Sequence, residues 1–429
     1  MSSPSTVSWR SGAASPASAI ESPYAWMRLC VSLLLMTLGG SGMYSVTVVL
    51  PAIQHEFGVD RGAASLPYTL TMIGFGLGGI LMGRLADRFG VVLPVALGAV
   101  GLGSGFIAAG LAPQLTLFCA AQGLLVGLLG TSATFAPLVA DTSQWFDRRR
   151  GTALAICMSG NYAAGALWPP VLQHFIDSVG WRQTYVGLGI FCLATMLPLA
   201  LLLRPRPPLV AAPAGAGSAS ASATSVPRPM GLQPGTAQML LAVAGVACCV
   251  AMSMPQVHIV AYCTDLGFGA ARGAQMLSLM LGLGVVSRLV SGWISDRIGG
   301  LRTLLLGSVL QGVALLMFLP FDGLVSLYVV AGLFGLFQGG IVPSYALIVR
   351  QHFSPAEAGA RVGTVLMATL FGMALGGWMS GAVFDLTGSY RAAFVNGIAW
   401  NGLNLSIVLF LLWRLRGQRA VPSPAAPAL

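Results

Sequence analysis

Lysine is missing altogether: all 22 basic residues are arginine. Charge of either sign is scarce, at 8% of 429 residues, about a third of the roughly 25% usual in soluble globular chains. That scarcity excludes a soluble enzyme, a charged disordered chain and a nucleic-acid binder. No CxxC pair and no Cys/His cluster with ligand spacing occurs, so no metal centre is expected. The seven cysteines lie in or beside apolar runs and read as small buried hydrophobes. There is no GxxxxGK[ST] phosphate loop, no HExxH pair and no nucleophile elbow, so neither a cofactor nor an enzymatic activity is expected. The first 25 residues are rich in Ser, Ala and Pro without a short apolar stretch before a cleavage site, so no removable leader is expected.

What the chain has instead is apolar length. Hydrophobic residues make up 56%, with 56 glycines. Runs of the roughly 20 residues needed to span a bilayer fall at 27–50, 63–82, 91–111, 115–139, 152–172 and 183–203. They resume at 237–262, 273–292, 301–320, 324–348, 362–383 and 393–413. The expected fold is therefore an all-α membrane protein of twelve transmembrane helices in two six-helix bundles. The expected segments are a tail over 1–25, a bundle over 26–203, a linker over 204–235, a second bundle over 236–416 and a tail over 417–429. The linker opens RPRPP and continues through Ala, Gly, Ser and Pro, a composition that builds no core.

Arginine placement gives the orientation. With the N-terminus inside, 17 arginines fall on the inner side and four (Arg61, Arg182, Arg272, Arg391) outside. Cytoplasmic loops collect basic residues, so both termini are expected in the cytoplasm, on a plasma membrane (the inner membrane of a bacterium). One arginine, Arg288, is left inside a span.

The halves also repeat. GRLADRFG (83–90) returns as GWISDRIG (292–299), aligning Gly83 with Gly292, Asp87 with Asp296, Arg88 with Arg297 and Gly90 with Gly299. Internal repeats mark secondary transporters. The glycines permit a tight turn, and each Asp is placed to pair with its Arg neighbour or a helix end as a cytoplasmic latch; the plainer alternative is a positive-inside turn.

This motif resembles the loop signature of the major facilitator superfamily. WFDRRRGTALAICMSG (145–160), GWRQTYVGLG (180–189), PQVHIVAYCTDLGF (255–268) and GVVSRLVSGWISDRIG (284–299) resemble, more narrowly, the monocarboxylate transporter family and its bacterial organic-anion relatives. The resemblance implies a transporter of small organic anions, with Arg288 at the position that holds the substrate carboxylate. A guanidinium fork suits a carboxylate, and a charge at mid-bilayer is costly enough to mark function; the alternative is snorkelling to headgroups. The family's proton-coupled members carry an Asp one turn before that Arg, where this chain has Gly284. Related oxalate–formate exchangers add a Lys in span eleven, whereas GTVLMATLFGMALGG (363–377) has no cation. One buried cation suits one carboxylate, and the coupled partner, a proton or a counter-anion, stays open.

Further candidates for substrate contact are Gln122, Asn161, Tyr162, Gln338, Tyr345, Tyr44 and Tyr68, each alternatively an interhelical hydrogen-bonding group. His258 is a candidate proton relay or a structural ring bonded to a carbonyl. Asn401 and Asn404 read as packing or lipid-boundary residues, and Pro169, Pro170 and Pro343 as kinks. Glycine runs such as GFGLGG (74–79) are expected at close helix crossings. The rival functions are a proton-coupled drug exporter and a non-transporting membrane sensor. The chain is expected to act as a monomer.

Overall fold

The structure, a computed structural model, describes residues 20–205 and 229–419. The central linker over 206–228, most of the N-terminal tail and the chain beyond 419 lie outside the described residues. Twelve long helices run in sequence: α1 (Pro23–Phe57), α2 (Arg61–Phe89), α3 (Val92–Gly110), α4 (Leu115–Trp145), α5 (Arg150–Val179) and α6 (Trp181–Leu201). Then follow α7 (Pro234–Asp265), α8 (Ala270–Ile298), α9 (Gly300–Met317), α10 (Leu324–His352), α11 (Pro355–Thr387) and α12 (Tyr390–Arg419). No strand occurs among the described residues. Eleven of these helices are long and apolar enough to cross a membrane. The exception, α5, is long enough, but Asn161, Gln173, His174 and the Pro169–Pro170 pair dilute its apolar content. With large apolar side chains such as Leu77, Leu124, Ile190, Leu289 and Trp413 half or more exposed, the outer wall is suited to lipid, and the protein is a multi-pass membrane protein.

Helix boundaries follow local chemistry. Ser22 caps α1 by accepting from the Ala25 amide at 3.2 Å, with Pro23 at the first helical position. The two motif-closing glycines, Gly90 and Gly299, both adopt φ 83°. A side chain would strain that conformation, so the sequence repeat is also a backbone repeat. Three helices are interrupted: α1 at Gly39–Gly40 and α10 at Gly339–Gly340, while α4 winds as a π-helix over Ala121–Thr131.

Packing divides the helices into two sets. In the first, α3 packs on α4 and α6, α2 on α4, and α1 on α5. In the second, α7 packs on α11 and α12, α8 on α10, and α9 on α12. Across the seam, α2 meets α11, α5 meets α8, and α1 meets α7. Glycine makes the close crossings. A Cβ on Gly74 would run into the Gly123 carbonyl, one on Gly78 into that of Leu128, and one on Gly335 into that of Met280. Backbone approach of this kind supplies the packing that the hydrophobic effect cannot supply in lipid. Polar residues add to it: Asn401 Nδ2 donates to the Ser308 carbonyl at 3.0 Å and Asn404 Nδ2 to Ser308 Oγ at 2.7 Å, so α12 is pinned to α9. Both asparagines are buried, which makes them packing residues and not lipid-boundary ones.

With an even number of spans, both chain ends lie at one face, here called the terminal face. Hydrogen bonds hold the seam shut at the opposite face, and among the described residues none crosses it on the terminal side beyond the one from Arg288 to Met158, so the seam is parted there.

Candidate functional site

Between the two sets lies a cavity of about 360 Å³, walled by α1, α2, α4 and α5 on one side and α7, α8, α10 and α11 on the other. Among the described residues, the only charged one in its lining is Arg288. The α8 helix brings Arg288 to the seam opposite Tyr162 of α5, whose ring lies under the guanidinium with 4.4 Å from Cζ to the centroid. Arg288 Nη1 donates to the Met158 carbonyl at 3.1 Å and Nε reaches the Gly339 carbonyl at 3.4 Å. No carboxylate pairs with Arg288 among the described residues, and no backbone carbonyl takes its Nη2; the Tyr162 side chain is its polar neighbour there. The guanidinium is thus held in place by two carbonyls and a ring, with one donor edge left for a solute.

The ring's position depends on the residue one turn before the arginine. A Cβ on Gly284 would lie 2.5 Å from Tyr162 Cδ1 and Cε1. A side chain at 284, acidic or otherwise, therefore occupies the space that Tyr162 fills.

Several sequence-predicted residues join Arg288. Tyr44, Asn161 and Tyr162 line the cavity, and the Tyr44 hydroxyl donates to Asn161 Oδ1 at 3.4 Å. Asn161 lines the same cavity as the arginine. Others are placed elsewhere. Gln122 is buried in the first set and donates to the Tyr185 hydroxyl at 3.3 Å. Tyr345 is buried in the second set and donates to Asn404 Oδ1 at 2.9 Å. Gln338 accepts from Gln256 Nε2 at 2.9 Å from behind the wall, and Gln256 is the one that lines the cavity. Tyr68 fills the seam on the shut side, where a Cβ on Gly377 would lie 2.8 Å from its ring. These four side chains are held by interhelical partners or packing, although Gln122 Oε1 and Gln338 Nε2 are buried without a hydrogen bond among the described residues.

The shut end of the seam is built on Arg61, at the start of α2. Its guanidinium forms a bidentate pair with Asp265 at the end of α7, with Nη2 to Oδ1 at 3.1 Å. It also donates to the Tyr390 hydroxyl at 2.9 Å and to Gln54 Oε1 at 3.0 Å, and sits over the Phe384 ring at 4.3 Å. Asp385, at the end of α11, accepts the backbone amides of Arg61 and Gly62 at 2.9 and 2.6 Å. A carboxylate from the second set thereby caps a helix of the first. Deeper in the seam, Thr69 donates to the Ala374 carbonyl at 3.0 Å and Ser278 to that of Ala166.

His258 belongs to this latch. Its Nε2 donates to the Gly377 carbonyl at 2.8 Å, and Nδ1 lies 3.1 Å from the Tyr390 hydroxyl. A carbonyl only accepts, so Nε2 carries a proton; on a neutral ring Nδ1 accepts from Tyr390, which in turn accepts from Arg61. Both ring nitrogens are engaged, and His258 does not line the cavity.

The loop motifs lie at the terminal face. Among the described residues Asp87, Arg88, Asp296 and Arg297 form none of the ion pairs. Arg297 instead covers the Trp293 ring at 3.7 Å and Arg88 the Phe89 ring at 5.2 Å. Gly83 and Gly292, like the cavity-lining Gly79 and Gly363, have nothing within 4 Å of a would-be Cβ. Sequence reasoning missed the buried ion pair beside this loop: Arg28 Nε and Nη2 donate to Asp141 at 2.7 and 2.8 Å, joining α1 to α4. Asp141 had one legible signal, an acid within two turns of an apolar run. The Arg61 latch had none, because its partners lie 204 and 324 residues away.

Comparison with known proteins agrees with this architecture. The family model described as Major Facilitator Superfamily matches residues 31–332 and 287–428. Monocarboxylate transporter 13 of Rattus norvegicus is 28% identical over 382 residues, covering 85% of this chain and 82% of its own length. An MFS-type transporter of Bacillus subtilis is 26% identical, with 82% and 86% covered. Among solved structures, a peptide transporter POT in complex with sulfate superposes with a TM-score of 0.72 at 15% identity, covering 93% of this chain and 96% of its own. A bacterial homologue of the lysosomal transporter Spinster, in an inward-facing conformation, gives 0.65 at 16% identity, with 92% and 96% covered. The chain is a transporter, not an enzyme, and it belongs to the Major Facilitator Superfamily.

Proposed function

We propose that this transporter moves small organic anions, monocarboxylates first among them, by alternating access between the two helix sets. The observation that carries the reading is the free donor edge of Arg288 on the wall of a cavity that has no acid in its lining. A solute carboxylate supplies the missing partner, and the Asn161 amide stands beside it as a second donor. Names of relatives such as the rat monocarboxylate transporter support the class. The 17-to-four arginine distribution supports cytoplasmic termini in a plasma membrane, so the conformation seen here is open to the cytoplasm. The Asp87 and Asp296 loops then serve as the cytoplasmic latch in the opposite state, and the cargo is matched by a proton or a counter-anion, or moves alone.

The test is uptake of labelled mono- and dicarboxylates into proteoliposomes, with and without an imposed pH gradient. Arg288→Ala is expected to lower monocarboxylate uptake at least a hundredfold with normal yield and insertion; unchanged uptake removes the reading. Monocarboxylates are expected to compete better than dicarboxylates. The apolar lining favours one second reading, a drug exporter of the same fold, which Arg288→Ala would leave active toward uncharged cargo.

A further inference from the structure

The rest of the cavity wall bears on the body of the anion. Apart from Arg288, Tyr44, Asn161, Tyr162, Gln256 and Thr369, every lining side chain is apolar, Phe75, Met252, Leu366, Met367, Leu370 and Met373 among them. Methionine thioethers adapt to irregular shapes and make favourable contacts with ring edges. The volume agrees with the chemistry. At about 30 Å³ for each non-hydrogen atom, the share of one water in the liquid, propionate fills about 150 Å³ of the roughly 360 Å³. The remainder would be water against thioether and aliphatic carbon, which those groups do not hold. An acid with an aryl body, such as 3-phenylpropionate, has about twice as many non-hydrogen atoms and fills correspondingly more of the space.

The charged group and its two nearest polar neighbours share one side of this space, while Thr369 on α11 spends its hydroxyl on the Leu366 carbonyl. Arg288, Asn161 and Tyr162 come from α5 and α8, whereas Phe75 comes from α2 and Met367, Leu370 and Met373 from α11, across the cavity. We infer that the preferred substrate is a monocarboxylate carrying a bulky apolar, ring-sized body: the carboxylate meets Arg288 and the body lies against the α2 and α11 wall. This rests on the anion reading above and adds the hydrophobic half of the substrate, which that reading leaves unspecified.

The experiment is ligand-dependent thermal stabilisation of the wild-type protein in detergent, titrated with three probes: propionate, 3-phenylpropionate and the uncharged 3-phenylpropionamide. Ligand that binds the folded state raises the melting temperature with its occupancy. Each methylene moved from water into such a wall is worth about fourfold in affinity. The expected half-saturating concentration for 3-phenylpropionate is therefore at least tenfold below that for propionate. The amide is expected at least tenfold weaker than its acid. Equal half-saturation by propionate and 3-phenylpropionate, with the amide weak, overturns the apolar-body inference and leaves the anion reading standing. Equal stabilisation by amide and acid overturns the anion reading. Stabilisation by none of the three overturns both.

Discussion

The two ends of the seam between the helix sets are built differently. At the shut end the contacts are polar and bidentate: Arg61 with Asp265 and Tyr390, and Asp385 on the α2 amides. At the parted end the motif residues Asp87, Arg88, Asp296 and Arg297 are free of cross-seam ion pairs, and the glycines there meet open space. The transporter thus invests its strong directional bonds where the seam is closed, and they must break for it to open there. Conformational preference is then a difference between two latches, one made and one unmade, over a scaffold whose glycine crossings do not change.

A covalent bridge across the shut end tests this most severely. A Cβ on Gly62 would lie 3.4 Å from Ala382 Cα, near disulfide reach. Gly62→Cys combined with Ala382→Cys is expected to abolish turnover on oxidation and to restore it with reductant. Transport that survives the bridge would mean the shut end never opens. Next in size is Arg61→Ala, which removes the latch without a bridge. We expect a shift of about 1–3 kcal/mol, five- to 150-fold, toward the state open at that face. Faster amide hydrogen exchange over 61–69 and 377–388 is the readout, and unaltered exchange there would show that other contacts hold the seam.

A methyl group distinguishes the ends directly. Gly381→Ala places a Cβ 2.8 Å from the Arg61 carbonyl, and overpacking of that kind costs about 1–3 kcal/mol. At Gly79 the same methyl meets nothing within 4 Å, and replacing a mid-helix glycine gains about 0.5–1 kcal/mol. Melting temperatures in detergent should move in opposite directions; two equal decreases would contradict the asymmetry. A further modest change is expected for Tyr390→Phe. It removes the hydroxyl between Arg61 and His258 at a cost of about 1 kcal/mol, visible as a modest rise in exchange at the start of α12.

Much of this was legible in the amino-acid order. Apolar run length located the spans because lipid leaves helices few ways to satisfy the backbone. The repeated loop showed the duplication because its closing glycines, Gly90 and Gly299, need a backbone conformation others avoid, although Gly83 and Gly292, expected in the turn, lie within α2 and α8; Arg288 stood out because charge inside a span is rare. Glycine crossings were expected, and Gly74, Gly78 and Gly335 bear them out. Which polar span residues face the cavity was not legible. Asn161 and Gln122 look alike in sequence, but the π-helical stretch of α4 and the rotation of each helix in its bundle decide where they point. Gln256, hidden in PQVH, lines the cavity for the same reason. The Arg61 latch was illegible because it joins the two halves, and nothing local in α2 names Asp265 or Asp385.

The snug fit of the Tyr162 ring over residue 284 has a consequence for how coupling can change in such a chain. An acid at 284 and an aromatic at 162 compete for one volume, so they are alternatives and not independent choices. Writing Asp into 284 alone would evict the ring from beneath the guanidinium before it could offer a carboxylate to a proton. Conversion to a proton-carrying centre requires both positions to change together, the second making room for the first.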